Sequence, residues 1–416
     1  MEVRRDRYLE KLIRKKWNGS VKIITGIRRC GKSYLLFKLF YDHLIESGID
    51  PDDVIRIALD DRKNISLRDP DALYNYVSEM VKPDHRYYLM IDEIQLVPDF
   101  VDTINGFRHM ENVDIYVTGS NSRMLAKDVV TDFRGRGDNL LMFPLSFSEF
   151  LESFDGSPSD AWAEYQIYGG MPELLNRPNR EDRRDYLTEL TRTVYVNDII
   201  ERYHIELKDE LDSILDVLSS SVGSLTNPSK LTNTLKTVKH SKVSVNTVDD
   251  YLRYISDAYL FEKSRRFNVK GRKYMDSPFK FYCMDVGLLN AWRNFEDPER
   301  PHLMENIIYL ELRSRGFNID IGFVEARPRV EGRQQYQQLE IDFIARRHDR
   351  RYYIQSAYAV PDRGKREQET RVFRSIGDGY KKVLVCGDLT ESYYDSDGVL
   401  NVGIIEFLTD ESLLGR

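Results

Sequence analysis

Cysteine is scarce in this sequence. Three residues (Cys30, Cys283 and Cys386) lie far apart in 416 and form no CxxC pair. That excludes a disulfide framework and a cysteine-rich zinc site, and it fits a reducing, cytoplasmic compartment. Long apolar runs are also absent: none approaches the ~20 residues that span a bilayer. The opening stretch, MEVRRDRYLEKLIRKK, has no apolar core, so no secretory signal is expected. Nor is there a general excess of base, since 61 Lys+Arg against 68 Asp+Glu give a formal net charge of −7. A protein that coats nucleic acid over its whole surface is thereby excluded. The deficit of base is uneven, however. Between Lys230 and Lys280, twelve Lys/Arg stand against five acids, a local balance of +7. This points to a localised polyanion site, although a solvated charged face explains the same composition equally well.

At 416 residues, 41% of them hydrophobic, the chain is too long for a single core, and two or three domains are expected. Its clearest motif lies near the start. VKIITG (Val21–Gly26) reads as a buried parallel strand. The loop after it, Gly26, Ile27, Arg28, Arg29, Cys30, Gly31, Lys32 and Ser33, matches G-x-x-x-x-G-K-[ST] at every fixed position. Glycines let the backbone turn so that successive N–H groups face phosphate oxygens. Lys32 then reaches the β- and γ-phosphates of ATP, the Ser33 hydroxyl is placed for Mg²⁺, and the helix opening at Tyr34 directs its positive end at the same point. Because Cys30 lies inside this loop, alkylating its thiol is expected to block the phosphate cradle.

A second strand, YYLMIDEIQLV, runs into Asp92 and Glu93. Asp92 is expected to hold Mg²⁺ and Glu93 to orient and polarise the attacking water. A third, VDIYVTGSNSRML, ends on Ser120 and Asn121, candidates for sensing the γ-phosphate and holding that water. Capping of the following helix by Ser120 or Ser122 is an equally available role. Arg136 follows a glycine just before another strand, where a ring-forming ATPase places the arginine that reaches a neighbour's γ-phosphate. Arg134 is the alternative, and a surface ion pair would account for either.

With these motifs, the segments TGSNSRML, RGRGDNLLMFPLSFSEF, YGGMPELL, YLRYISDAYLFE, FYCMDVGLLNAW, ENIIYLELRSRGFNI, EIDFIA and YYIQSAYAV make the chain resemble the AAA+-type ATPases of bacteria and archaea that carry a C-terminal DUF4143 domain. The resemblance runs along essentially the whole length. It implies an ATPase core over residues 1–155, a helical lid over 156–205, ATP and Mg²⁺ as ligands, and a homo-oligomer, with a hexamer as the ring form in view. The lid motif Gly169-Gly170-Met171-Pro172-Glu173 lacks the sensor arginine common in such lids, and Arg180, Arg183 and Arg184 are the nearest substitutes.

Beyond the lid the pattern changes. Three capped helices and a hairpin over residues 206–292 read as a winged helix, and the +7 segment lies on it. Residues 293–416 give a helix bearing Glu305, then a hairpin bearing Glu340, Asp342 and Gln355, which is the plan of a restriction-endonuclease-like α/β fold. Metal-dependent cleavage in that plan needs an Asp followed by Glu-x-Lys, and here Gln355-Ser356-Ala357 stands instead. The domain is therefore read as a nuclease fold without its chemistry, rimmed by Arg327, Arg329, Arg333, Arg346, Arg347, Arg350 and Arg351. The resulting expectation is a Mg²⁺-dependent oligomeric ATPase that binds and remodels DNA by shape, with branched or junction-like DNA foremost. An ATP-controlled protein-binding switch in signalling or defence, and a nuclease with an unconventional site, are the competing readings.

Overall fold

The computed structural model describes residues 3–120, 137–296, 299–326 and 337–415, and the backbone alone at 329–330 and 333–334. The chain forms two compact units. The first comprises Met1–Pro144 with Asp257–Tyr259, and the second Leu145–Ser256 with Leu260–Arg416.

The first unit is built on five strands: β1 (Val21–Thr25), β2 (Val54–Ala58), β3 (Tyr87–Asp92), β4 (Val113–Gly119) and β5 (Gly137–Leu141). They pair in the order β2-β3-β4-β1-β5, and every pairing is parallel. Parallel strands covered on both faces read as continuous apolar runs, and β1, β3 and β4 are accordingly buried at every position. One face packs Val21, Ile23, Leu89, Ile91, Ile115 and Val117 against Leu73, Val77, Ile104 and Phe107 from the helices Pro70–Met80 and Phe100–Phe107. The core also holds charge. Lys22 pairs with Asp114 across β1 and β4, and Asp114 further accepts from the Tyr116 hydroxyl at 2.7 Å and the Trp17 N–H at 3.0 Å. Burial lowers the Lys22 pKa, and the Asp114 carboxylate opposes that shift.

The second unit contains an eight-stranded mixed sheet. Its strands are β6 (Phe261–Asn268), β7 (Lys273–Cys283), β8 (Asn318–Ala326), β11 (Gln337–Arg347), β12 (Arg350–Ala357), β13 (Lys381–Cys386), β14 (Tyr393–Tyr394) and β15 (Leu400–Gly403). They run in the order β14-β15-β13-β12-β11-β8-β6-β7. The short strands β9 (Arg329–Val330) and β10 (Arg333–Gln334) pair separately. The helices Lys208–Ser220, Pro228–Val238 and Val245–Asp257 lead into β6. Pro228–Val238 starts on an Asn227 cap, and Val245–Asp257 starts where the Ser244 hydroxyl accepts the Thr247 N–H at 3.1 Å. Lys208–Ser220 has no side-chain cap, against the sequence expectation; Asp209 and Glu210 in its first turn complement its positive end instead. Just before Pro228–Val238, Thr226 bridges Phe279 on β7, with N–H···O distances of 2.8 and 3.0 Å. The β6–β7 hairpin, expected as part of a separate module, also continues the large sheet through parallel pairing of β6 with β8.

Candidate nucleotide site

Sheet order brings the motif residues of the first unit together. In a parallel α/β sheet, ligands sit beyond the carboxyl ends of the strands. Here β1 neighbours β4 and β4 neighbours β3, so the Gly26–Ser33 loop, Asp92-Glu93 and Ser120 all leave the same edge. Gly26 has φ +148°, and a Cβ there would stand 2.2 Å from the Met142 carbonyl oxygen, so only glycine fits. The Lys32 ammonium is held at the mouth of the loop by the carbonyls of Gly26 and Ile27, at 3.0 and 3.1 Å. Ser33 is exposed and Asp92 is buried. Cys30 is wholly buried with its thiol against the Met142 carbonyl at 3.6 Å. This burial counts against the alkylation of Cys30 expected from its position in the motif.

Glu93 adopts a left-handed backbone conformation (φ 56°), a cost tolerated where the surroundings fix the residue. Its carboxylate accepts from the Gln95 amide and from the Ser120 hydroxyl at 3.5 Å. Burial pushes its pKa up, and Lys32 and Arg28 pull it back. Sequence reasoning missed Thr118. Its hydroxyl donates to Asp92 and accepts the Glu93 N–H at 3.1 Å, so one side chain sets both acids. The available signal was a threonine two residues before Ser120, at the carboxyl end of a strand that reads as buried. Thr118→Val should lower Mg²⁺-dependent ATP turnover about tenfold, since an unpaired buried group costs about 1–3 kcal/mol. Thr118→Ser should restore it; equal turnover in the valine variant would remove the positioning role. Asn121, Ser122, Arg134 and Arg136 lie outside the described residues.

In the second unit the lid motif has a structural use. Asp285 caps the helix Val286–Trp292, accepting the N–H groups of Gly287 and Leu288 at 2.8 and 3.2 Å, and its other oxygen accepts the Gly170 N–H at 2.7 Å. A Cβ on Gly287 would lie 1.9 Å from the Tyr168 carbonyl oxygen. YGGMP and MDVGL therefore form the two halves of one joint. Arg180 and Arg183 both pair with Glu164, at 3.1 and 2.9 Å, and Arg184 lies over the Phe295 ring.

The structure corrects the local charge count. Lys263, Arg265, Lys270, Arg272 and Lys273 are exposed on the β6–β7 hairpin, but Arg266 is buried against Phe323 and bonded to Gln338 at 3.0 Å. Lys280 is buried between Glu305 (3.0 Å) and Glu340 (2.7 Å). Burial alone would lower its pKa; Glu305, Glu340 and Asp342 outweigh that and hold the ammonium charged. Of the arginine rim, Arg346 pairs with Asp320, Arg347 donates to the carbonyls of Arg315 and Gly415, and Arg351 lies over the Tyr380 ring. Arg327 and the side chains of Arg329 and Arg333 lie outside the described residues. Among the described residues no three His, Cys, Asp or Glu side chains form a metal-binding group, and no helix is long and apolar enough to cross a membrane.

A family model described as an AAA domain matches residues 18–151. An uncharacterized protein of Haemophilus influenzae (strain Rd) is 30% identical over 417 residues, covering 98% of this chain and 98% of its own. The chain belongs to that family. Its first unit is an AAA-type ATPase domain. A second model, described as a domain of unknown function (DUF8612), matches residues 159–299, which corrects the DUF4143 resemblance. The segments YGGMPELL, YLRYISDAYLFE and FYCMDVGLLNAW all fall inside this match. Uncharacterized protein MJ1544 of Methanocaldococcus jannaschii is 28% identical over 379 residues, covering 86% of this chain and 79% of its own. The Aeropyrum pernix Orc1 protein, solved in complex with DNA, matches 70% of this chain and 92% of its own at 14% identity and a TM-score of 0.34.

Proposed function

We propose that the chain is a Mg²⁺-dependent oligomeric ATPase that couples hydrolysis to binding of structured or branched DNA. The ATPase part rests on one observation: Lys32, Ser33, Asp92, Glu93 and Ser120 leave neighbouring strands at one edge of the sheet. Backbone N–H groups from Gly26 to Tyr34 cradle the phosphates, Lys32 neutralises them, and Glu93 takes the proton of the attacking water. The oxygens of Ser33 and Asp92 suit Mg²⁺, which when bound offsets phosphate charge. Asn121 is assigned to the same water, and Arg136 to the γ-phosphate of a neighbouring subunit. Recovery of hydrolysis on mixing Arg136→Ala with Lys32→Ala chains would mark that action in trans; none would leave Arg136 a structural residue.

The DNA part rests on the hairpin. Helix, Thr226 bridge, two helices and the β6–β7 pair follow in the order of a winged helix, which supports reading residues 206–292 that way. The next elements, the helix Arg300–Ser314, β8, the β11–β12 hairpin, a helix (Arg363–Arg374) and the parallel strand β13, support the nuclease-like reading of 293–416. No base-reading set of side chains stands out on the exposed hairpin, so recognition is by backbone and shape. Neutralising Lys263, Arg265, Lys270, Arg272 and Lys273, with Arg266 left intact for folding, should weaken DNA binding for every sequence. It should also lower the slope of log K against log salt by about 0.9 for each phosphate that these cations no longer neutralise. ATP hydrolysis measured without DNA and with duplex, single-stranded and four-way junction DNA tests the coupling. Stimulation is expected to be largest with the junction and to vanish in the neutralised variant. No stimulation by any DNA, with salt slopes unchanged, would favour the protein-binding switch.

A further inference from the structure

The cluster around Lys280 assembles groups from three places in the chain. Glu305 comes from the helix Arg300–Ser314, Glu340 and Asp342 from β11, and Lys280 from β7. The Glu305 carboxylate accepts from Lys280 at 3.0 Å and from the Tyr282 hydroxyl at 2.7 Å. Glu340 takes the same ammonium at 2.7 Å. Asp342 accepts the Ser356 N–H at 2.8 Å, while its own N–H donates to Gln355 Oε1 at 2.7 Å. Gln355 is thus engaged with backbone rather than with a cation.

We propose that the Lys280 ammonium is the resident cation of this cluster, seated between the two carboxylates where a nuclease of this plan holds a divalent metal, so that the site takes no metal and cuts no phosphodiester. Three features carry the inference. The ammonium lies within ion-pair distance of both glutamates, so a hard cation cannot bridge them without displacing it. Lys280 is 4% exposed, and a displaced ammonium would remain buried without a partner, which is strongly unfavourable. Position 357, where the nuclease pattern requires lysine, is alanine, so the only lysine at the cluster among the described residues is the one bonded to both acids. The inference rests on the nuclease-like reading of residues 293–416 and is independent of the ATPase reading, because its test needs no nucleotide.

Mn²⁺ binding to the nucleotide-free full chain, followed by the paramagnetic resonance signal of the free ion, tests it. Wild type and Glu305→Gln should titrate alike. Lys280→Ala should gain one site per chain, at least tenfold tighter than any in wild type, and Lys280→Ala/Glu305→Gln should lose it again. A wild-type site that Glu305→Gln removes would overturn the proposal, as would a folded Lys280→Ala chain with no new site. If Lys280→Ala folds poorly, its refolding yield in MnCl₂ against NaCl of equal ionic strength becomes the readout. A yield raised by Mn²⁺ supports the cation seat, and an equal yield overturns it.

Discussion

Glu93→Gln should bind ATP as wild type does and hydrolyse it about 10²–10⁴ times more slowly, the usual contribution of a positioned general base. Glutamine keeps the size of the side chain and its contacts with Gln95 and Ser120, so the loss falls on water activation alone. Lys32→Ala should fail at the earlier step, because charge-assisted hydrogen bonds of about 1.5–3 kcal/mol each to the phosphates are removed. Equilibrium ATP binding alongside single-turnover hydrolysis separates the two. Burial raises the Glu93 pKa, so its carboxylate is lost at a higher pH than that of an ordinary glutamate. The acid limb of the hydrolysis rate should therefore be shifted to higher pH than an ordinary glutamate would give, and be absent from the residual rate of Glu93→Gln. Wild-type hydrolysis by Glu93→Gln would assign the base elsewhere.

The second large effect concerns stability. Asp285→Ala should destabilise the second unit by on the order of 3 kcal/mol or more, since three buried N–H groups lose their acceptor at about 1–3 kcal/mol each. Against a total of about 5–15 kcal/mol, that is a large share. Asp285→Asn should recover only part: its amide oxygen can still cap Gly287 and Leu288, but its NH₂ then faces the Gly170 N–H. Burial pushes the Asp285 carboxyl up to about 6. The folded chain therefore holds the proton more tightly than the unfolded one, and this group's contribution to stability falls as pH rises from about 4 to 6. Denaturant titrations at pH 4.5 and 7 should show that slope in wild type and not in Asp285→Asn. Equal stability of Asp285→Ala and wild type would show the joint to be dispensable.

What could be read from the sequence was local. A phosphate cradle must be made by consecutive residues, so Gly26–Ser33 stood out, and so did the acidic tip of β3. Thr118 did not, because its link to Asp92 spans 26 positions between adjacent strands. YGGMP and MDVGL were legible only as family segments; the bond between them joins residues 115 apart. Two further signals lie in the strands themselves. Neighbouring residues on a regular strand point to opposite faces, which signals that Arg265 and Arg266 differ in exposure. A single lysine in the apolar run FKFYC needs an acid, and Lys280 has two, the buried Glu305 and the partly exposed Glu340. The Asn121 and Arg136 assignments fall outside the described residues and remain proposals.

Strand β7 has a mechanical consequence. It pairs with β6 in two stretches, Lys273–Met275 and Lys280–Cys283, and residues 276–279 between them bulge out of register. Lys273 stands at its free end, Lys280 near the other, and two residues after Cys283 the chain enters the Gly170–Asp285 joint. A pull on the hairpin tip therefore meets this bulge first, and the Thr226–Phe279 bridge ties the bulge to the turn before Pro228–Val238. The bulge thus stands between the exposed cations at the tip and both the ion-paired acids and the turn at Gly170.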